Sequence, residues 1–490
     1  MRKRILVDVD RHESRVAVLE DGVLVELYIE REGEEGITGN IYKGRVVNVL
    51  PGMEAAFVDI GVGKNAFLYA GDVFEPEDYD DMFGEDMEGL ARRSRASISD
   101  VLRRGQELLV QVVREPVGAK GPRVTTYITI PGRNLVLMPI SERIGVSRRI
   151  SKEEEKSRLR DIAREIKPPG VGLIVRTAAE GATKEEIESE FNALMDLWRK
   201  IYRKKERTSA PALIHKEVSL LERIGRDFMT EDVDEVLVEG RDAYERIIRV
   251  FDSFSYPGRS KIKLYEGEKP LFERYGVEKE ILKVTSRVVS LKSGGYIAID
   301  RTEALTVVDV NSGKYIGGRE QRDTILRINM EAAVEIARQL RLRDIGGIII
   351  IDFIDMEVEE DKERVIQVFE EELKKDKAKT YISHISQLGL VEMTRKRGKQ
   401  SLDEQLKEPC PYCKGEGRVL SSLTVAIKIQ RELKRSAIIR GKEVVVEVHP
   451  SIVPILSSSS GIEEIERMKG CRIKISPNKD LHVESYSISW

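Results

Sequence analysis

Asp309 and Asp352 are the residues whose type and setting point most directly to chemistry. Asp309 follows the apolar run Ala304-Leu305-Thr306-Val307-Val308, and Asp352 follows Gly346-Gly347 and four consecutive isoleucines. The second run predicts a strand buried on both faces, and a carboxylate set directly after it is costly unless its charge is met. Period-two alternation puts Asp309 and Asn311 on one face, where they can converge with Asp352 from a neighbouring strand. Hard oxygen ligands with few histidines nearby suit Mg²⁺ or Mn²⁺. The competing reading is that each aspartate only starts a turn or caps a helix. Against it stand the small, polar, basic stretches that follow, Asn311-Ser312-Gly313-Lys314 and Gly317-Gly318-Arg319, which would let a phosphate backbone approach closely. Thr324 to Arg343 has the period of an amphipathic helix, with Ile325, Ile328, Ala332, Ala333, Ile336 and Leu340 on one stripe. The whole is a strand-helix-strand unit with acids at the carboxyl ends of its strands, where open α/β sheets place ligands.

Cys410-x-x-Cys413 is a second constellation. With three cysteines in the chain, the pair argues for metal or redox chemistry and not for a disulfide framework. Pro411, Gly415 and Gly417 make a turn-rich knuckle, and the absence of a strand-to-helix context disfavours thioredoxin-like redox chemistry. Structural zinc takes four protein ligands, of which this pair supplies two. Cys471 sits in a strand-like segment, and His12, His215, His384, His449 and His482 are not at ligand spacing to the pair. The economical expectation is one Zn²⁺ shared by two chains across a two-fold axis, hence a homodimer, with a tetramer as a further assembly. A third, weaker signal is Gly172-Leu173-Ile174-Val175-Arg176-Thr177, an apolar strand ending in a pair suited to a phosphate: Arg offers a bidentate fork and Thr a hydroxyl.

A chain of 490 residues must hold several cores. Its net charge of −3 conceals 82 basic and 85 acidic residues, so any nucleic-acid surface must be local. The acids of Glu75 to Glu88 read as a solvated insertion within a barrel. No run approaches a membrane span, and the first residues run straight into a strand, so a cytoplasmic protein is expected.

The N-terminal stretch Arg4 to Glu30 alternates as short antiparallel strands around Glu20-Asp21-Gly22. Strands near 40–49, 54–61, 65–68 and 105–114 with glycine turns describe an OB-type barrel, whose aromatics Phe57 and Phe67 would stack on single-stranded nucleic acid unless they are core. Helices are expected at Lys152–Ile166 and Lys184–Arg207, the latter opened by a Thr183/Glu186 capping box. His384 reads as a structural histidine in a core strand.

Long strings in one order resemble the ribonuclease E/G family over essentially the full length. They include Asn40-Ile41-Tyr42-Lys43-Gly44, Glu54-Ala55-Ala56-Phe57-Val58-Asp59, Val308-Asp309-Val310-Asn311-Ser312, Ile351-Asp352-Phe353-Ile354-Asp355-Met356 and Cys410-Pro411-x-Cys413-x-Gly415-x-Gly417. The resemblance implies a multidomain α+β and α/β chain. An RNase H-like subdomain (1–36 and 213–279) would carry an inserted S1-type barrel (37–122) and a 5′-end sensor (123–212). A DNase I-like catalytic subdomain (280–400), a zinc link (401–418) and a small α+β domain (419–490) would follow. Within the 490 residues no Arg/Pro-rich tail follows, so the chain resembles the family's shorter form, without a scaffold for a degradation complex.

By the same resemblance, Asp309 and Asp352 hold Mg²⁺ with Asn311 hydrogen-bonding beside it. Arg176 and Thr177, with backbone from Gly132 and Val136, hold a 5′-monophosphate. Lys379 stands where the family's pocket draws another arginine, which keeps the charge but loses the fork. Phe57, Phe67, Lys43, Arg114, Arg148 and Arg149 form the RNA-facing set. The implied activity is a Mg²⁺-dependent endoribonuclease on single-stranded, A/U-rich RNA, leaving 5′-phosphate and 3′-hydroxyl ends in rRNA and tRNA processing and mRNA decay. Two rivals remain at this point: a non-catalytic RNA-binding protein, which would not need acids facing phosphate, and a DNA nuclease, which would not require the 2′-hydroxyl.

Overall fold

A computed structural model describes residues 2–33, 36–73, 85–88, 97–116, 120–254, 256–313, 321–386, 389–396, 401–436, 440–458 and 460–490. The chain divides into two compact units, Met1–Gln405 and Leu406–Trp490.

In the first unit, strands Lys3–Val9, Glu13–Glu20 and Val23–Arg31 form the antiparallel start read from the sequence. Asp21 and Gly22 both adopt positive φ in the turn between the second and third of these strands. Val233–Glu239 and then Ile262–Tyr265 add in parallel at the other edge, so residues more than 200 positions apart share one sheet.

Between these halves lies a closed five-stranded barrel. Ile41–Leu50 pairs with both Ala55–Asp59 and Glu107–Arg114, and the circuit closes through Ala66–Tyr69 and Arg123–Thr125. Its last strand thus lies just past 122, and Ala212–His215 flanks it. A second sheet combines 130–131, 135–138, 172–175, 144–147 and 85–88. Glu85–Glu88 lies in the chain between barrel strands 66–69 and 107–114, as an insertion would, and forms an edge strand of this second sheet, paired with Ile144–Ser147; residues 74–84 lie outside the described residues. Helices Glu153–Ile166 and Lys184–Arg207 contribute to this sheet's core, and the Thr183/Glu186 capping box is formed.

The sheet that carries the two aspartates has six strands in the order 288–290, 296–301, 305–311, 347–352, 390–395, 380–385. Strands Leu305–Asn311 and Gly347–Asp352 are parallel and joined by helix Gln321–Leu342. The expectation that the isoleucine strand is buried on both faces is corrected. Ile349 and Ile351 enter the core beneath helices Gln321–Leu342 and Glu359–Leu373, whereas Ile348 is 51% exposed on the opposite face. Helices cover only one side here, and the remaining apolar face is open.

This sheet is tied to the N-terminal one through Glu26. Its carboxylate, buried in the protein, accepts hydrogen bonds from Arg341 Nη2 (2.8 Å) and Tyr28 Oη (2.9 Å) and pairs with Lys377 Nζ (3.3 Å). Burial alone would raise its pKa, but Lys377 and Arg341 overcome that and hold it at about 2. Because the folded pKa is depressed, the stabilisation is full above the unfolded carboxylate range, near about 4.3, and is lost as pH falls through about 2. Removing one partner of such a buried cluster costs about 3–5 kcal/mol. Glu26→Ala is therefore expected to lower the urea midpoint markedly at pH 7, and a shift of under about 0.5 kcal/mol, typical of a surface change, would contradict this.

In the second unit, helix Ser422–Arg435 packs on a three-stranded sheet in which Glu443–Val448 lies between parallel Arg472–Pro477 and antiparallel Tyr486–Ser489. Among the described residues no helix is long and apolar enough to cross a membrane.

Candidate functional site

Asp309 and Asp352 are direct register partners on neighbouring parallel strands. Both point to the face away from the helices, where alternation also places Ile348 and Ile350. Asn311, two residues on, donates from Nδ2 to Asp309 Oδ2 at 2.7 Å. Burial, then the neighbouring charges of Asp309 and Asp355, push the Asp352 carboxyl up from its ordinary value. The like-charge part of this shift is what a cation between the two carboxylates would relieve. Among the described residues no group of three His, Cys, Asp or Glu side chains could hold a metal. Two register-paired carboxylates are a donor set of the kind accepted by an ion that keeps most of its waters.

The sequence reading missed two contributors. Asp355 acts on Asp352 through space. Asn329, fully buried on helix Gln321–Leu342, accepts from the Ile354 amide (3.1 Å) and donates to the Ile354 carbonyl (2.8 Å), fixing the turn that follows Asp352. Its signal was present, since an asparagine on the apolar stripe must have a partner. Gly313 combines φ of 64° with a neighbouring carbonyl of Gly294 that would lie 2.5 Å from a Cβ, so only glycine serves there. Lys314, Gly317, Gly318 and Arg319 lie outside the described residues, as does the His384 side chain.

In the second sheet of the first unit, Arg176 follows strand Gly172–Val175 and bonds the Gly132 carbonyl through Nη1. Its Nη2 pairs with Asp227 at 3.0 Å. Thr177 Oγ1 shares a hydrogen bond of 2.9 Å with Ser147. Val136 is buried and lies opposite Ile174, so only its backbone can serve a ligand. Arg149 donates to the Asp376 carbonyl at 2.6 Å, which ties the segment leading to Lys379 to the loop after strand Ile144–Ser147; Lys379 is exposed. A cavity of about 1160 Å³ opens beside Gly132, lined by Arg133, Glu190 and Glu217 among others, and does not include Arg176 or Thr177.

On the barrel, Phe57 and Phe67 face each other across adjacent strands with ring centroids 6.0 Å apart in an edge-on arrangement. Ala56, Val58, Ala66 and Leu68 fill the barrel interior, and alternation turns the two partly exposed phenylalanines outward. Arg114 and Arg148 are exposed. Lys43 is already engaged, bonding the Thr208 carbonyl (2.9 Å) and pairing with Glu107 (3.0 Å).

At the cysteine pair, the Gly417 amide donates to Cys413 Sγ at 3.3 Å, and backbone amides of Cys413 and Tyr412 lower the Cys410 thiol's pKa. Positive φ at Lys414, Gly415 and Gly417 wraps the chain around the sulfurs. His482, distant in sequence, stacks on Tyr412 with centroids 4.2 Å apart, its Nε2 lying 2.7 Å from the Tyr412 carbonyl oxygen.

Comparison with known proteins agrees with this layout. A model described as "Ribonuclease E/G family" matches residues 129–398, and another, "RNase E/G, Thioredoxin-like domain", matches 409–490. The chain thus belongs to the ribonuclease E/G family of endoribonucleases. It is 42% identical to ribonuclease G of Salmonella typhimurium (strain SL1344), over 100% of this chain and 99% of that protein. Ribonuclease G of Escherichia coli (strain K12) is 43% identical over 97% of each chain. Ribonuclease E of the same strain is 38% identical over 99% of this chain but only 46% of its own length, so the match is to the family's shorter form. The small C-terminal domain expected as α+β is thus thioredoxin-like in fold, with Cys410 and Cys413 in the loop before its first helix and not at a strand-to-helix junction.

Proposed function

We propose that this endoribonuclease cuts single-stranded, A/U-rich RNA with the help of Mg²⁺ held by Asp309 and Asp352, and that it leaves 5′-phosphate and 3′-hydroxyl ends. The register pairing of the two aspartates at the carboxyl ends of parallel strands carries this reading. A bound Mg²⁺ would supply an activated water and offset charge on the scissile phosphate. Asp309 and Asp352 would hold the ion, and Asn311 restrains the Asp309 carboxylate. Phe57 and Phe67 offer stacking surface, and Arg114 and Arg148 offer charge, for the strand. Its tasks would be rRNA and tRNA processing and mRNA decay.

We propose further that Arg176 and Thr177, with backbone from Gly132 and Val136 and charge from Lys379, receive the substrate's 5′-monophosphate, and that Cys410 and Cys413 share a structural Zn²⁺ with a second chain. The deciding experiment incubates one labelled single-stranded RNA, carrying a 5′-monophosphate or a 5′-triphosphate, with and without Mg²⁺. Cleavage is expected only with the ion and faster with the monophosphate. Full activity in a chelator would remove the metal reading, and equal rates would remove the 5′ pocket. Arg176→Ala should erase most of the preference, since one charge-assisted contact is worth about 1.5–3 kcal/mol, or roughly ten- to over a hundredfold. An equal loss on circular RNA would show that Arg176 serves general binding or folding instead.

A further inference from the structure

Arg176 does not stand alone. Asp227 Oδ1 accepts from Arg176 Nη2 (3.0 Å) and Arg226 Nε (3.2 Å), while Oδ2 accepts from Arg223 Nε (3.2 Å) and Arg226 Nη2 (3.0 Å). Arg226 also pairs with Glu217 at 2.7 Å. Within this hydrogen-bonded group three guanidinium cations face two carboxylates. Burial would raise the Asp227 pKa, yet Arg226 and Arg176 hold it well below the ordinary carboxylate range, so it stays charged.

The turn that carries Asp227 is a rigid mount. Ile224–Phe228 is one turn of π-helix, closed by the Met229 amide on the Ile224 carbonyl at 3.0 Å, a geometry found often at functional sites. Gly225 sits against Tyr256 and Phe251 so closely that a Cβ would lie 2.3 Å from the Tyr256 ring. Buried Arg133 then ties this turn to the sensor: Nη1 donates to the carbonyls of Gly225 (3.0 Å) and Met229 (2.7 Å). Arg133 follows Gly132, whose carbonyl holds the other end of the Arg176 guanidinium. Arg223 and Arg226 belong to Asp227's own turn and could neutralise it locally. Arg176 reaches it from 51 positions away, and the shared clamp fixes both of its anchors in one frame.

We propose that Asp227 is a positioning residue that sets the enzyme's preference for 5′-monophosphorylated RNA, by holding Arg176 with its free N–H edge, including Nε, turned toward a terminal phosphate. This rests on the reading of Arg176 as the 5′ contact. The test measures KM and kcat on one single-stranded RNA bearing a 5′-monophosphate or a 5′-hydroxyl, for the wild type, Asp227→Asn, Asp227→Glu, Arg176→Ala and the double variant Asp227→Asn/Arg176→Ala. Asp227→Asn should cut the monophosphate-to-hydroxyl ratio of kcat/KM by about tenfold, mainly through KM. Asp227→Glu, with charge kept but displaced by a methylene, should fall in between. The double variant should lose no more preference than Arg176→Ala, since Asp227 acts through Arg176. A wild-type ratio in either Asp227 variant, equal losses on both RNAs, or a further loss in the double variant would overturn the role of Asp227. A wild-type ratio in Arg176→Ala would instead overturn the 5′ pocket itself.

Discussion

Asp309→Asn and Asp352→Asn should each lower the single-turnover cleavage rate by on the order of 10²–10³-fold or more, a loss like that of a dedicated charge-stabilising group, while RNA affinity stays nearly intact. The two Cα positions are register partners, so both side chains address one point in space. Asn keeps the size of Asp and, for Asp309, an acceptor for the Asn311 amide, but it removes the charge that an ion needs. Burial and then like-charge repulsion raise the Asp352 carboxyl, and the substitution relieves the repulsion, so neither variant should lose stability. Affinity is expected to come from elsewhere: from outward-facing Phe57 and Phe67 and from exposed arginines. Measuring cleavage at saturating enzyme beside the dissociation constant separates the two effects. Wild-type-like cleavage by either variant would sink the assignment, and an affinity loss matching the rate loss would make the aspartates binding residues instead.

The central unit was legible because its signals are local. Apolar runs, a single amphipathic helix and acids after both strands require only neighbouring residues to be read, and parallel pairing follows from the helix between them. What could not be read locally was which face of the isoleucine strand stays open. Four isoleucines look alike in a sequence, and only the placing of two helices on one side separates Ile349 and Ile351 from Ile348. The same holds for Lys43, whose basic character gives no sign that Glu107 and the Thr208 carbonyl already engage it. Asp227 was invisible for a related reason: its partner Arg176 lies 51 positions away at the end of a strand, and both the π-helical turn and its clamp by Arg133 arise from packing. Asn329 was the one omission with a readable cue. A polar amide among alanines and isoleucines at helical spacing marks a buried partner, here the backbone of Ile354.

The purified protein is expected to carry about half a zinc per chain and to form a homodimer that a chelator or Cys410→Ala weakens by at least about a hundredfold, because a structural zinc site contributes many kcal/mol to what it holds together. The knuckle's chemistry suits such an ion: the Gly417 amide donates to Cys413 Sγ, and the amides of Cys413 and Tyr412 lower the Cys410 thiol's pKa. Two ligands remain to be found for a tetrahedron. Cys471 packs against the core of its own domain, where burial pushes its thiol up, away from the thiolate form a metal needs. His482 comes near, but its Nε2 faces the Tyr412 carbonyl and its ring stacks on Tyr412, an arrangement that braces the loop between the cysteines. Among the described residues no third ligand completes a site within the chain. A second copy of the same knuckle supplies the missing pair with no new chemistry, and two-fold symmetry places it automatically. Metal analysis and sedimentation velocity on the wild type and on Cys410→Ala/Cys413→Ala decide the matter. One tightly bound zinc per monomer, or an unaltered dimer in the double variant, would place the interface elsewhere.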